Sequence, residues 1–112
     1  MAAREPHTAI VERFYREAQS DLVGLWQIVR AVAQGSDGDG AVMEDALSVA
    51  RTLLGRGLRA GDPPYSAGGF RPWDDQNPDI VIQRIRSEWI LLGRRPDIPD
   101  IVWFDLPIGQ SN

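Results

Sequence analysis

NPDIVIQRIRSEWILLGRRPDIPDIVWF, Asn77 to Phe104, reads as a capped helix, a proline-punctuated turn and a short apolar strand. Asn77 can accept from the orphan amides of a first helical turn. Pro78 stands where a missing N–H costs nothing, and Asp79 opposes the positive helix end. At about 100° per residue, Val81, Ile82, Ile85, Trp89 and Leu92 share one face, and Arg84 and Glu88 pair at i, i+4 along its border. Ile80, Ile90 and Leu91 fall outside that stripe, which predicts a central helix covered on more than one side. Gly93 suits the C′ position, Arg94 and Arg95 lie near the negative end, and Pro96 forbids continuation. After Pro99, the IVWF run is bulky enough for a strand packed on helices.

Outward from this stretch, Thr8 to Ala18 is amphipathic, with Ile10, Val11, Phe14, Tyr15 and Ala18 on one side. Leu22 to Gln34 carries a wide apolar face containing Leu25, Trp26, Ile28, Val29 and Val32 behind a cap at Ser20–Asp21. The two are read as separate helices or as one kinked helix. Ala41 to Arg56 is a further strong helix, stopped by Gly55 and Gly57. Leu58–Gly61, Phe70–Trp73 and Ile101–Phe104 are the expected strands, with Pro72 confining the second to an edge. The expected fold is therefore α+β and mainly helical, with three to four amphipathic helices and a small antiparallel sheet. Residues 1–112 form a single globular domain, with a short flexible N-terminus (1–7) and a C-terminal tail (108–112).

Size and composition narrow the function classes. The 112 residues are 43% hydrophobic and 25% charged, ordinary values for one globular domain. With no cysteine, disulfides, thiolate metal sites and cysteine nucleophiles are excluded. The first residues lack the continuous apolar core of a secretory signal, and no run approaches the roughly 20 apolar residues of a membrane helix. A cytoplasmic location without membrane contact is the expectation. The net charge of −4 disfavours nucleic-acid binding through the whole surface. All twelve basic residues are arginine, a bias that GC-rich codon usage explains.

Chemical motifs are sparse. In GSDGDG, Gly35 to Gly40, neither EF-hand register supplies the essential carboxylates, so a loop is expected without a metal. GRGLRAG offers G-x-G after a helix and without a preceding strand, which does not make a dinucleotide site. His7, the one histidine, lies in the N-terminal segment and has no partner for zinc or nucleophilic chemistry. No cofactor is implied. Asp74, Asp75, Asp79, Glu88, Asp100 and Asp105 leave carboxylate catalysis as a residual reading, with no spacing that fixes two of them together.

Leu53, Leu54, Gly57, Leu58 and Gly61 resemble the end of a helix-turn-helix unit running into a wing. That resemblance implies a winged-helix-like arrangement and a DNA-binding regulator, with Arg51, Arg56, Arg59 and Arg71 as contacts. Glu44 and Asp45 on the would-be recognition helix oppose it, since carboxylates repel phosphates. The segment EWILLGRRPDIPDIVWF is similar to one in small single-domain bacterial proteins of unassigned function, on Glu88, Trp89, Leu92, Gly93, Arg94, Pro96, Asp100, Trp103 and Phe104. It supplies a grouping and no activity. Some small acidic bacterial proteins are toxin-neutralising immunity proteins, an analogy at the level of size and charge. The leading expectation is a non-catalytic protein-interaction module that binds another protein. Its surface is acidic and aromatic: Tyr65, Phe70, Arg71, Trp73, Asp74 and Asp75. Oligomeric state is left open.

Overall fold

The structure, a computed structural model, describes residues 7–34, 38–64 and 69–107. The elements run α1 (His7–Ala18), β1 (Val23–Gly24), α2 (Leu25–Ala33), α3 (Asp39–Gly55), β2 (Arg59–Asp62), β3 (Arg71–Pro72), α4 (Pro78–Leu92) and β4 (Trp103–Asp105). The fold is α+β and mainly helical, as the periodicity predicts. Residues 1–6 and 108–112, both within the predicted termini, lie outside the described residues, as do 35–37 of the predicted loop.

The sheet holds four strands, one more than expected, in the order β1-β4-β2-β3 with every neighbouring pair antiparallel. The additional strand, Val23–Gly24, is cut from the predicted helix Leu22–Gln34, which begins instead at Leu25. Of the two readings, separate helices is the one observed. Gly24 is extended at φ −89° and ψ 147°, and its N–H donates to Gln27 Oε1 at 2.8 Å. The Leu22 N–H donates to its neighbour Asp21 Oδ1 at 2.8 Å. Side chains thus take up the Leu22 amide just before β1 and the Gly24 amide within it, and Pro72 removes a donor from β3 at the opposite edge, which blunts both edges against strand addition.

β4 lies inside the sheet, and its alternation sorts the two faces. Phe104 pairs with Val23 on one side and Ala60 on the other, and all three are fully buried in the core shared with the helices. Trp103 points the other way and pairs with a glycine on each side, Gly24 and Gly61. A Cβ on Gly24 would stand 2.6 Å from Trp26 Cδ1 and 3.0 Å from Trp103 Cε2. A Cβ on Gly61 would stand 2.5 Å from the Arg71 carbonyl oxygen and 2.6 Å from Phe70 Cζ. The missing side chains give room for aromatic rings against the sheet. Trp103 is consequently 9% exposed although it faces away from the helices.

Among the helices, α3 is central. It packs on α1, α2 and α4. Its buried residues Val42, Ala46, Leu47, Val49, Ala50, Leu53 and Leu54 cover an arc of about 160° at 100° per residue. The buried set of α4, Val81, Ile82, Ile85 and Trp89, covers only about 100° on the same reckoning. The expectation that α4 is the central helix is corrected here: Ile80, Ile90 and Leu91 lie on its outer side and are 48%, 62% and 85% exposed.

The predicted boundaries of α4 hold. Asn77 Oδ1 accepts from the amides of Asp79 and Ile80 at 2.9 and 3.4 Å, and Gly93 closes the helix at φ 75°. The turn into β4 is organised by Asp100, whose Oδ2 accepts from Arg94 Nη1 at 2.8 Å and from the Asp97 N–H at 2.7 Å. A tight turn follows, with Val102 N–H bonded to the Asp100 carbonyl at 2.8 Å around Ile101 at φ 63°. A β-branched residue in the left-handed region is strained. The Asp100 contacts and the bond from Trp103 Nε1 to the Ile98 carbonyl at 3.0 Å hold it there.

Two outcomes follow for stability. Gly61→Ala should cost about 2–3 kcal/mol of unfolding free energy, because a backbone carbonyl blocks the new methyl. Gly24→Ala should cost less, since the Trp26 side chain can turn aside; urea denaturation of both variants checks the ranking. Burial pushes the Asp100 carboxyl up, but the Arg94 and Asp97 donors outweigh it and hold its pKa below the ordinary value. Its stabilisation should be complete above the unfolded carboxyl's pKa and vanish as pH falls through the lower folded value. The stability gap between the wild type and Asp100→Asn, measured by denaturation at stepped pH, should therefore narrow on acidification.

Candidate interaction surfaces

Two residues, Trp73 and Gln76, pin the chain between β3 and α4 to the sheet. The Trp73 N–H donates to the Ala60 carbonyl at 2.9 Å. The Gln76 side chain then acts as one more strand residue. Its Oε1 accepts from the Ala60 N–H at 2.9 Å, and its Nε2 donates to the carbonyls of Ala60 and Trp73 at 2.8 and 2.7 Å. Asp75 Oδ1 accepts from the Asn77 N–H at 2.9 Å, which orders the step into the helix cap. This anchoring leaves Asp74 and Asp75 exposed at the end of the molecule formed by the β2–β3 hairpin and the start of α4.

The six residues of the predicted partner surface divide. Tyr65 lies outside the described residues. Arg71, Asp74 and Asp75 are exposed, and Phe70 is half-buried against Gly61. Trp73 is buried at 7% exposure, so it is not an exposed anchor. Its Nε1 donates to Asp62 Oδ1 at 2.9 Å, and the Arg84 guanidinium lies 3.6 Å from the centre of its ring. The indole therefore clamps β2 to α4 beneath the acidic surface. Asp62, which the sequence reading did not single out, joins that surface through the same bond.

The four arginines proposed for DNA stand on separate elements. Arg51 of α3 pairs with Asp79 of α4, and Arg56 pairs with Glu12 of α1 while stacking 4.1 Å from the centre of the Tyr15 ring. Arg59 holds both oxygens of Asp105, at 3.0 and 2.7 Å. Arg71 is exposed on the edge strand. Arg86 with Glu44 adds another tie between α3 and α4. Three of the four cations, Arg51, Arg56 and Arg59, are thus already paired with carboxylates, and Arg71 is not.

His7, expected in the terminal segment, begins α1, with Nε2 3.6 Å from Asp45 Oδ1 of α3. Of the carboxylates held for catalysis, Asp79, Glu88, Asp100 and Asp105 are each tied to an arginine. An open groove of about 430 Å³ beside the Arg59–Asp105 pair includes Ser20, Asp21, Leu22 and Leu106. Asp105 is already bridged there, and Asp21 accepts from the Leu22 amide. Among the described residues no group of three or more His, Cys, Asp or Glu side chains could hold a metal ion.

Among the described residues, Glu17, Asp21, Asp62, Asp74, Asp75 and Asp97 have no cationic partner. Asp62, Asp74 and Asp75 are the three that the Trp73 and Gln76 bonds bring to one end of the molecule.

Gln76→Leu should cost about 1–3 kcal/mol by stranding the Ala60 amide. Gln76→Glu keeps an acceptor for that amide but turns a carboxylate toward two carbonyls. Its folded-state pKa should be raised, so the added stability loss relative to the wild type should be larger at pH 7 than at pH 4, in thermal unfolding at both. Comparison with family models, with curated proteins and with solved structures finds no match to this chain.

Proposed function

We propose that the protein is a non-catalytic protein-interaction module whose acidic end engages a basic partner protein. The observation that carries this reading is the distribution of charge. Most arginines among the described residues are tied to carboxylates, and three carboxylates without an ion pair, Asp62, Asp74 and Asp75, gather beside Phe70. An acidic patch on a rigid base steers a cationic partner and sets its orientation, at no ordering cost to the backbone that presents it. In its sharpest form the partner is a toxin whose cationic surface the acidic end covers. The overall acidity supports that form by analogy with immunity proteins.

A DNA-binding regulator is the second reading, supported by the succession of α2, α3 and the β2–β3 hairpin. Against it, the outward stripe of α3 bears Glu44, and both Glu44 and Arg51 are tied to α4. Phosphate contacts by Arg51 or Arg56 would require breaking those pairs first.

Affinity capture from the host cell, with the wild type and the double variant Asp74→Asn, Asp75→Asn side by side, tests the first reading. A partner retained by the wild type should be lost or weakened at least tenfold by the variant, and its capture should fall as salt rises. A partner bound equally by both proteins overturns the acidic end as its site. In a fluorescence anisotropy titration at low salt, duplex DNA should show no binding at micromolar protein; saturable binding there would revive the second reading.

A further inference from the structure

The outer side of α4 is the one place where the described fold leaves several large aliphatic side chains in water: Ile80, Ile90 and Leu91. Two adjacent aliphatics at 62% and 85% exposure on a regular helix are unusual for a surface that contacts only solvent. Their placement carries more information than their number. Ile80, Arg84, Ser87 and Leu91 recur at spacings of four, three and four, which is a coiled-coil seam drawn along the side that faces away from α3. The seam is apolar at both ends, and at its centre the small Ser87 stands beside Arg84, which leans to one flank. On one flank stand Arg84 and Glu88; on the other, Gln83 and Ile90.

We infer that this face is the contact surface of an antiparallel homodimer, with a second copy of this chain as its occupant. With a two-fold axis crossing the seam near the level of Ile85 and Arg86, Ile80 of each copy meets Leu91 of the other. Ser87 then lets the two helices approach to about the usual 8–10 Å. In an antiparallel pair like flanks face each other. Arg84 therefore lies opposite Glu88 of the second copy, and Glu88 opposite its Arg84. A parallel pair would set that flank against Gln83 and Ile90 of the second copy and offer no cross-pair, so the charges select the antiparallel arrangement.

The groups are ready for this use. Arg84 is fixed by the Trp73 ring beneath it and by the bond from its Nε to Glu88 Oε2 at 2.8 Å. Its Nη atoms, and Oε1 of Glu88, have no partner among the described residues. A second copy would complete both without freezing any further rotamers in Arg84. Both sheet edges are blunted, so strand pairing does not compete as a route to self-association. The inference does not depend on the acidic end binding a basic protein; either can fail while the other stands.

Sedimentation velocity of the full chain from about 1 µM to about 500 µM tests it, the upper range being where a single helix pair should associate. A reversible monomer–dimer equilibrium is expected. Leu91→Glu, at an exposed site that leaves the fold intact by circular dichroism, should weaken it at least a hundredfold. Arg84→Glu and Glu88→Arg should each weaken self-association about tenfold. An equimolar mixture of those two variants should form a heterodimer more readily than either forms a homodimer, because the mixture restores both cross-pairs. A chain that stays monomeric throughout, a dimer indifferent to Leu91→Glu, or charge variants whose mixture shows no rescue would each overturn the antiparallel dimer.

Discussion

Everything in this fold rests on a three-residue strand that is hydrogen-bonded along both edges. β4 separates β1 from β2, and its two aromatic residues serve opposite faces. Phe104, in line with Val23 and Ala60, closes the core under the helices. Trp103 lies over a floor that two glycines keep flat, and the Trp26 and Phe70 rings occupy the space that side chains on those glycines would fill. The outer sheet face, which has no helix layer, is kept dry by aromatic rings instead.

The same economy recurs at the surface. Arginines of α3, α4 and the turns that follow them hold elements together: Arg51 to Asp79, Arg56 to Glu12, Arg86 to Glu44, Arg95 to Asp39. Each exposed pair contributes little singly. Collectively they fix which charges stay available, and at the end of the molecule beside Phe70 those left over include Asp62, Asp74 and Asp75. A chain with twelve arginines thus presents an acidic end and no basic face among the described residues. Trp73 and Gln76 make that end rigid by joining hairpin, helix cap and sheet.

Much of the fold was legible in the sequence where the local chemistry has one structural solution. Asn77-Pro78-Asp79 at one end of α4 and Gly93 at the other admit little but a helix between them. The other three strand segments, β2, β3 and β4, were also readable, to within a residue or two. β1 was not, because Val23–Gly24 sits in a run of apolar residues whose helical periodicity continues through it. Gly24 was the available signal. The ranking of the helices was misjudged for a related reason. The aliphatics of α4 suggested burial all round, but α3, with alanines at 46 and 50, permits closer packing, and α4 closes only one side of it. At the acidic end, Asp74 and Asp75 could be placed outside by composition. Trp73 could not be placed inside without knowing that Asp62 and Arg84 come together around it, and no pattern in a single sequence marks Gln76 as a substitute for a strand residue.

The position of β4 also has a consequence in time. β1 is made early and β2 midway, yet neither touches the other; each waits for the most C-terminal strand to come between them. During synthesis α1, α2 and α3 can gather around their shared apolar surface, but their lower side stays uncovered until β4 has left the ribosome. The β2–β3 hairpin can form beforehand, but joining it to β1 is a late event. A nascent chain halted before Trp103 would hold a helical cluster with Val23 and Ala60 open to chaperones and to premature aggregation.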